Sequence, residues 1–335
     1  MTEQDYLKKF IFDKEPYMLT DHDRKTIEFE GMESFIFRKL TTAKYKASAL
    51  PAGLEDKVTK IIRRCVAEEK PIHLTVPFGG YKKWQFASYP YPDWAEVFNI
   101  SHLRNFLKPI AAAYKHGVIL QYFSDEIFIS RMNNYPEEDV LAYNESFQKL
   151  IHWYQSYFPP NLMLRFSKIR DEISQEKLMK RFDQTIETLR EKWESVPPED
   201  RALRLAKSAR NYKGDLESLT PKEKEKILWE STLVHDAFIF GDWDKDVTWA
   251  FGDLMIPLGF RYTGSWGVHL KSSPSSTVQF WIGTGALKHR NDGSLVSTIL
   301  TYDQFTKAQS NITMVPIELL PASLKNVSQI AVVGK

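Results

Sequence analysis

Apolar and polar positions fall into blocks of different period along this chain. Residues 1–50 are mixed, and Phe35–Leu40 reads as a strand or a helix end. Val58, Ile61, Ile62, Cys65 and Val66 recur at the spacing of one helical face, which predicts a helix over 55–69. Ile72-His73-Leu74-Thr75-Val76 is short, apolar and partly β-branched, and it stops at Pro77, Gly79 and Gly80. That pattern is a buried strand running into a loop. Asp93 and Glu96 have capping-box spacing, and Leu103, Phe106, Leu107, Ile110, Ala111 and Tyr114 continue as one helical face. After Gly117 a second strand, Val118–Phe123, stops at Ser124-Asp125-Glu126. Strand, loop, helix, strand, loop is a βαβ unit. Ligands of such units bind at the carboxyl ends of the strands, where Lys82/Lys83 and Ser124/Asp125 fall.

Pro136 followed by Glu137, Glu138 and Asp139 opens another helix, since acids suit the positive end of the helix dipole. Its face is Val140, Tyr143, Phe147, Leu150, Ile151 and Tyr154, and Pro159-Pro160 ends it. Ile169, Ile173, Phe182, Ile186, Leu189 and Trp193 predict one long charged helix over 165–194, and Pro197-Pro198 is the clearest break. A basic amphipathic stretch covers 201–213, and Thr220-Pro221 starts a helix running to about His235. Beyond residue 237 the runs become short. Phe260–Leu270, Thr277–Leu287 and Ser294–Leu300 read as antiparallel strands, with Asn291-Asp292-Gly293 as a hairpin signal. The expected fold class is α/β. A Rossmann-like core with an N-terminal extension takes 1–160, a helical connection 161–236, and an antiparallel β-containing portion 237–335.

Composition narrows the function classes. The 335 residues are 43% hydrophobic and 26% charged, as in an ordinary globular enzyme, and the net charge of +2 gives no global field for nucleic acid or an anionic membrane. The single cysteine, Cys65, excludes an intrachain disulfide and a Cys-based zinc site, and its place on a helical stripe makes it core. No segment approaches the roughly 20 apolar residues that span a bilayer. The first residues lack the pattern of a secretory signal, so the expectation is a cytoplasmic protein acting on small molecules. The sequence leaves the oligomeric state open.

Four groups of residues carry candidate chemistry. Lys82 and Lys83 lie among Tyr81, Trp84 and Phe86 after Gly79-Gly80, a combination that suits a phosphate or carboxylate. The plain alternative is a solvated basic loop. Asp125 with Glu126 suits a general base or an amine partner, although a strand-ending Asp is also a common turn former. Arg131, Arg104 and His102 are secondary partners. Asp242, Asp244, Asp246 and Asp253 approach the spacing of a calcium loop, but Val247 stands where that loop needs glycine, which favours a solvated acidic turn. Nucleophile-elbow, Walker A, His-Glu-x-x-His and Gly-x-Gly-x-x-Gly motifs are absent.

The order Pro77, Lys82/Lys83, Pro92-Asp93-x-Ala95-Glu96, Leu103, Ile110-x-x-x-Tyr114-x-x-Gly117, Ser124-Asp125, Asp139-Val140-x-x-Tyr143 resembles the isocyanide (isonitrile) synthase family. That family is also labelled pyoverdine/dityrosine biosynthesis proteins. Glu126 stands where the family's turn has glycine, and Arg131 near where it has aspartate. Toward the C-terminus, Trp266-Gly267-Val268-His269-Leu270, Phe280-Trp281 and Asp292-Gly293 are similar in order, with Ile282 in place of a turn histidine. The resemblance implies condensation of the amino group of an aromatic amino acid with the ketone of ribulose 5-phosphate, without metal or redox cofactor. It implies that Lys82 or Lys83 holds the phosphate, that Asp125 handles protons or the amine, and that Arg261 holds the carboxylate. Trp84 and Trp281 would form pocket walls, with Ser124, Glu126 and Arg131 also at the substrate. Two other classes stay open: a metal-dependent transferase or hydrolase using Asp242, Asp244 and Asp246, and a non-catalytic relative acting as a binding protein.

Overall fold

The computed structural model describes residues 1–240, 250–260 and 267–334, with side chains up to residue 237 in the first of these segments. The Asp242, Asp244 and Asp246 cluster and Arg261 lie outside the described residues. Five strands form a wholly parallel sheet: β1 (Ile72–Phe78), β2 (Val118–Ser124), β3 (Leu162–Lys168), β4 (Met255–Phe260) and β5 (Val268–Leu270). Their spatial order is β3-β2-β1-β4-β5, and β1 and β2 pair from Ile72↔Val118 to Phe78↔Ser124. The α/β class with a Rossmann-like core is therefore observed.

The helices begin with α1 (Glu3–Tyr6), α2 (Asp21–Leu40) and α3 (Leu54–Ala67). Phe35–Leu40 belongs to α2, and Cys65 is fully buried on the inner face of α3. Between β1 and β2 runs α4 (Trp94–Ala113), followed by α5 (Ile129–Asn133) and α6 (Glu137–Tyr154). A helix apolar on every side is a buried helix. Nearly every residue of α4 is buried, because the parallel sheet lies on one side of it and a second sheet on the other. The second sheet has the order β7-β6-β9-β8, from β6 (Thr284–His289), β7 (Leu295–Leu300), β8 (Ile312–Pro316) and β9 (Gln329–Val333). Its β6–β7 pair is the expected hairpin, with Gly293 at φ +80° in the turn. Gly285 in β6 touches α4 so closely that a Cβ there would stand 2.3 Å from the Trp94 carbonyl carbon and 2.4 Å from the Ala95 nitrogen.

Three elements depart from expectation. Residues 162–168 form β3, whose pattern of buried and exposed positions alternates with period two at its start, and the long helix begins later as α8 (Gln175–Lys192) after the short α7 (Ile169–Glu172). Phe260–Leu270 is not an antiparallel strand, since β4 and β5 extend the parallel sheet beyond β1. Thr277–Leu287 contains a single helical turn, Phe280–Ile282, before β6. The expected helical connection is present as α8, α9 (Pro198–Asn211) and α10 (Pro221–Phe240), followed near the C-terminus by α11 (Tyr302–Ala308). The connection docks through a core of its own. Leu178, Phe182 and Ile186 of α8 and Leu233, Val234 and Ala237 of α10 meet Phe123, Phe128 and Met132 beside the end of β2. Among the described residues no helix is long and apolar enough to cross a membrane.

The Gly285 contact is against backbone, which cannot move aside as a flexible side chain can. Gly285→Ala is expected to cost about 2 kcal/mol or more in chemical denaturation. A loss below about 0.5 kcal/mol would contradict the close packing of β6 on α4.

Candidate active site

The chain leaves β1 toward β2 and β3 on one side and returns on the other side at β4, so the strand order reverses beside β1. At such a switch point the loops leave a crevice at the carboxyl ends of the strands. The loop after β1 opens with Gly79-Gly80. Gly80 has φ +66°, and a Cβ there would lie 2.0 Å from Ser124 Oγ at the end of β2, so glycine is required on both counts. The Ser124 hydroxyl donates to Asn144 Oδ1 (2.6 Å), and Asn144 Nδ2 donates to the Gly80 carbonyl (2.8 Å). These bonds lock the two strand ends together. Asp125 is buried, and its N–H donates to the Phe78 carbonyl at 2.9 Å.

Lys82 turns inward. It is fully buried, with Nζ 3.0 and 3.1 Å from the two Glu96 oxygens, 3.0 Å from Asp93 Oδ1 and 3.4 Å from the Phe280 carbonyl oxygen. The same two carboxylates form the capping box of α4: Ala95 N–H donates to Asp93 Oδ1 (2.7 Å), and Asp93 N–H donates to Glu96 Oε2 (2.8 Å). Asp93 also accepts the Ser88 and Thr284 hydroxyls at 2.9 and 2.8 Å, and Glu96 accepts Tyr143 Oη–H at 3.0 Å. Burial pushes the Glu96 carboxyl up to about 7, with Lys82 opposing and Asp93 adding to the rise. Lys82 therefore does not offer its charge at a loop mouth, because two buried carboxylates already hold it.

Lys83 faces the other way and is only half-buried; its N–H donates to the Trp281 carbonyl at 3.0 Å. Burial lowers its ammonium, Asp303 on α11 opposes that, and Arg210 adds to it. Trp281 packs edge-on against Phe280 with ring centres 4.9 Å apart, and it shields Tyr81, whose hydroxyl burial pushes up despite a hydrogen bond from Trp281. Trp84 is partly exposed, with its N–H on Tyr135 Oη at 3.1 Å. Glu126 is buried and bonded to Arg170, whose Nη1 lies 3.7 Å from Glu137. Arg131 pairs with Asp183 of α8 at 2.6 Å on a half-exposed surface.

The structure thus brings Ser124, Asp125 and Glu126 together with the Gly80 turn, and joins Lys83 to Trp281 through the backbone. It places Arg131 in a surface ion pair. Sequence reasoning read Asp93 and Glu96 only as a helix start and missed Tyr143, Asn144 and Arg170 as site partners. The capping-box spacing was a usable signal. Arg170 was hidden by the helix expected over 165–194. Among the described residues no group of three or more His, Cys, Asp or Glu side chains is placed to hold a metal.

The sequence model of the pyoverdine/dityrosine biosynthesis protein family matches residues 62–226, a span from α3 into α10 that contains Lys82, Lys83, Asp93, Glu96 and Ser124-Asp125-Glu126 but not Phe280, Trp281, Thr284 or Asp303. Among solved structures, the PvcA protein from Pseudomonas aeruginosa shares the fold. It matches with a TM-score of 0.64 over 90% of this chain and 99% of its own, at 13% identity. No curated protein matches.

Two outcomes test the buried network. Lys82→Met leaves two buried carboxylates without their cation and is expected to destabilise by about 3–5 kcal/mol, whereas Lys83→Ala changes stability by about 0.5 kcal/mol or less; comparable losses would contradict the inward geometry of Lys82. Glu96 binds its proton more tightly folded than unfolded. Its contribution is therefore fully present below the ordinary carboxylate range and is lost as pH rises through about 7. Wild type should lose on the order of 2 kcal/mol between pH 5 and pH 8 relative to Glu96→Gln. Parallel stability–pH curves for the two proteins would exclude this linkage.

Proposed function

Because residues 62–226 belong to the pyoverdine/dityrosine biosynthesis family, a family of biosynthetic enzymes, we propose that the protein is an isonitrile synthase-like enzyme. In this reading the amino group of an aromatic amino acid condenses with the ketone of ribulose 5-phosphate, water leaving. Proton transfers, loss of phosphate and carbon–carbon cleavage then leave one carbon on nitrogen. The observation that carries the reading is the junction of the Gly79-Gly80 turn with Ser124-Asp125 at the carboxyl ends of β1 and β2, inside the family-matched span.

The residues present fit what this chemistry demands. Lys83 is the loop cation left for the phosphate once Lys82 is held by Asp93 and Glu96. Lys83 is half-buried, so its attraction to an arriving dianion is less screened than at a fully wet lysine. Asp125 is the buried carboxylate beside the turn and takes the proton-handling role. Trp281 and Tyr81, backed by the fully buried Phe280, stand nearest the junction as flat apolar groups for the amino-acid side chain, and Trp84 closes the outer edge. Ser124 holds the geometry through Asn144.

Ribulose 5-phosphate at 100 times its dissociation constant should raise the unfolding free energy by about 2.7 kcal/mol, read as a shift in Tm. Lys83→Ala should remove that shift with little change in the Tm of the unliganded protein. Incubation with tyrosine or tryptophan and ribulose 5-phosphate should yield a product carrying the infrared stretch of an isonitrile. The proposal fails if the sugar phosphate gives no shift and no amino acid gives that product.

A further inference from the structure

Glu126 is 2% exposed, and its two carboxylate oxygens differ. Oε1 accepts from Arg170 Nε, while Oε2 is buried and has no hydrogen-bond partner among the described residues. A buried carboxylate oxygen without a donor is costly, and such groups recur where a ligand supplies the missing bond. The side chain stands against the catalytic junction: the position of a Cβ on Gly80 is 3.1 Å from Glu126 Cβ. Among the described residues, the charged groups around it are Lys168 at the end of β3, Arg170 of α7, Asp125 just past the end of β2, and Glu137 at the start of α6, which shares Arg170. Burial raises its carboxyl above the ordinary range even though Arg170 and Lys168 pull it down. That brings its basicity closer to that of an amine.

We propose that Glu126 is a catalytic residue that receives the substrate's ammonium group on Oε2 and takes its proton. The inference rests on the isonitrile synthase-like reading and divides the work of that site. An α-ammonium has no free electron pair with which to attack a ketone. When one N–H bond breaks, the proton passes to Oε2, the electron pair stays on nitrogen, and Glu126 becomes the neutral acid. Arg170 holds the other oxygen and keeps the acceptor aimed; it is a positioning residue. Asp125 remains for the later proton transfers on the sugar carbon.

The test compares binding of tyrosine and of its desamino analogue by titration calorimetry, in wild type, Glu126→Gln and Glu126→Asp. Wild type should prefer tyrosine by about tenfold or more, the range for a hydrogen bond to a charged group. Glu126→Gln should lose that preference while binding the analogue as wild type does, and Glu126→Asp should keep it in part. In turnover with ribulose 5-phosphate, Glu126→Gln should lose the acid limb of the kcat/KM profile, which a purely structural role would not remove. A preference for tyrosine that survives in Glu126→Gln, or wild type binding both compounds equally or neither, overturns the assignment. If product forms equally in wild type and Glu126→Gln, the assignment fails and the isonitrile reading stands. If Glu126 carries the amine preference but no isonitrile forms, the assignment stands and that reading fails.

Discussion

The ion cluster of Lys82 with Asp93 and Glu96 is the constraint on which the rest of the site depends. All three side chains are buried, and taking such charges out of water is expensive unless every one finds close partners. The partners come from four parts of the chain: the loop after β1, the first turn of α4, Tyr143 of α6, and the Thr284 hydroxyl with the Gly285 N–H of the second sheet. The Phe280 carbonyl adds a fifth tie beside Trp281. Loosening any of these would expose a buried charge to a worse environment, so the cluster fixes where the loop after β1 goes. By turning Lys82 in, it also turns Lys83 and Trp84 out.

The central position of α4 follows from the same arrangement. A helix covered on both faces must satisfy its polar residues internally. Asn99 donates to the Ser272 carbonyl and accepts from Tyr122, while Arg104 and Lys108 reach the chain near Asp13 and Glu15. The N-terminal segment, featureless as a sequence, thus serves as the polar lining for the far half of α4. The helical connection does comparable work at the other end. Its Lys213 bonds Tyr89 Oη and Asp139, and Arg210 offers its carbonyl to Gln85, which fastens the loop after β1 to the layer of helices over β2.

Much of the site was legible because it depends on local chemistry. Gly79-Gly80 after an apolar run, Ser124-Asp125 after another, and the Asp93/Glu96 capping box each show in a few neighbouring residues. The family resemblance ordered them correctly along the chain. Glu126 at the place of a family glycine was visible as a departure, but its meaning was not, because the cation that holds it lies 44 positions away on the far side of β3. The two adjacent lysines were equivalent as sequence. Only the direction of the loop separates a charge neutralised in the interior from one left near the surface.

The sequence by itself determined the βαβ unit, the α/β class, the hairpin at Asn291-Asp292-Gly293 and the burial of Cys65, since periodicity and turn chemistry act over a few residues. Tertiary structure decided what those residues are for. Whether Phe260–Leu270 pairs parallel or antiparallel depends on which strand edge it meets, and here β1 had an open edge beside the switch point. β3 became a strand because it could add to β2, a gain that its charged, helix-compatible residues did not reveal. The pairing of Lys82 with Glu96, of Glu126 with Arg170 and of Asp93 with Thr284 is a matter of distance in space, and electrostatic energies set by burial and proximity have no counterpart in local sequence pattern.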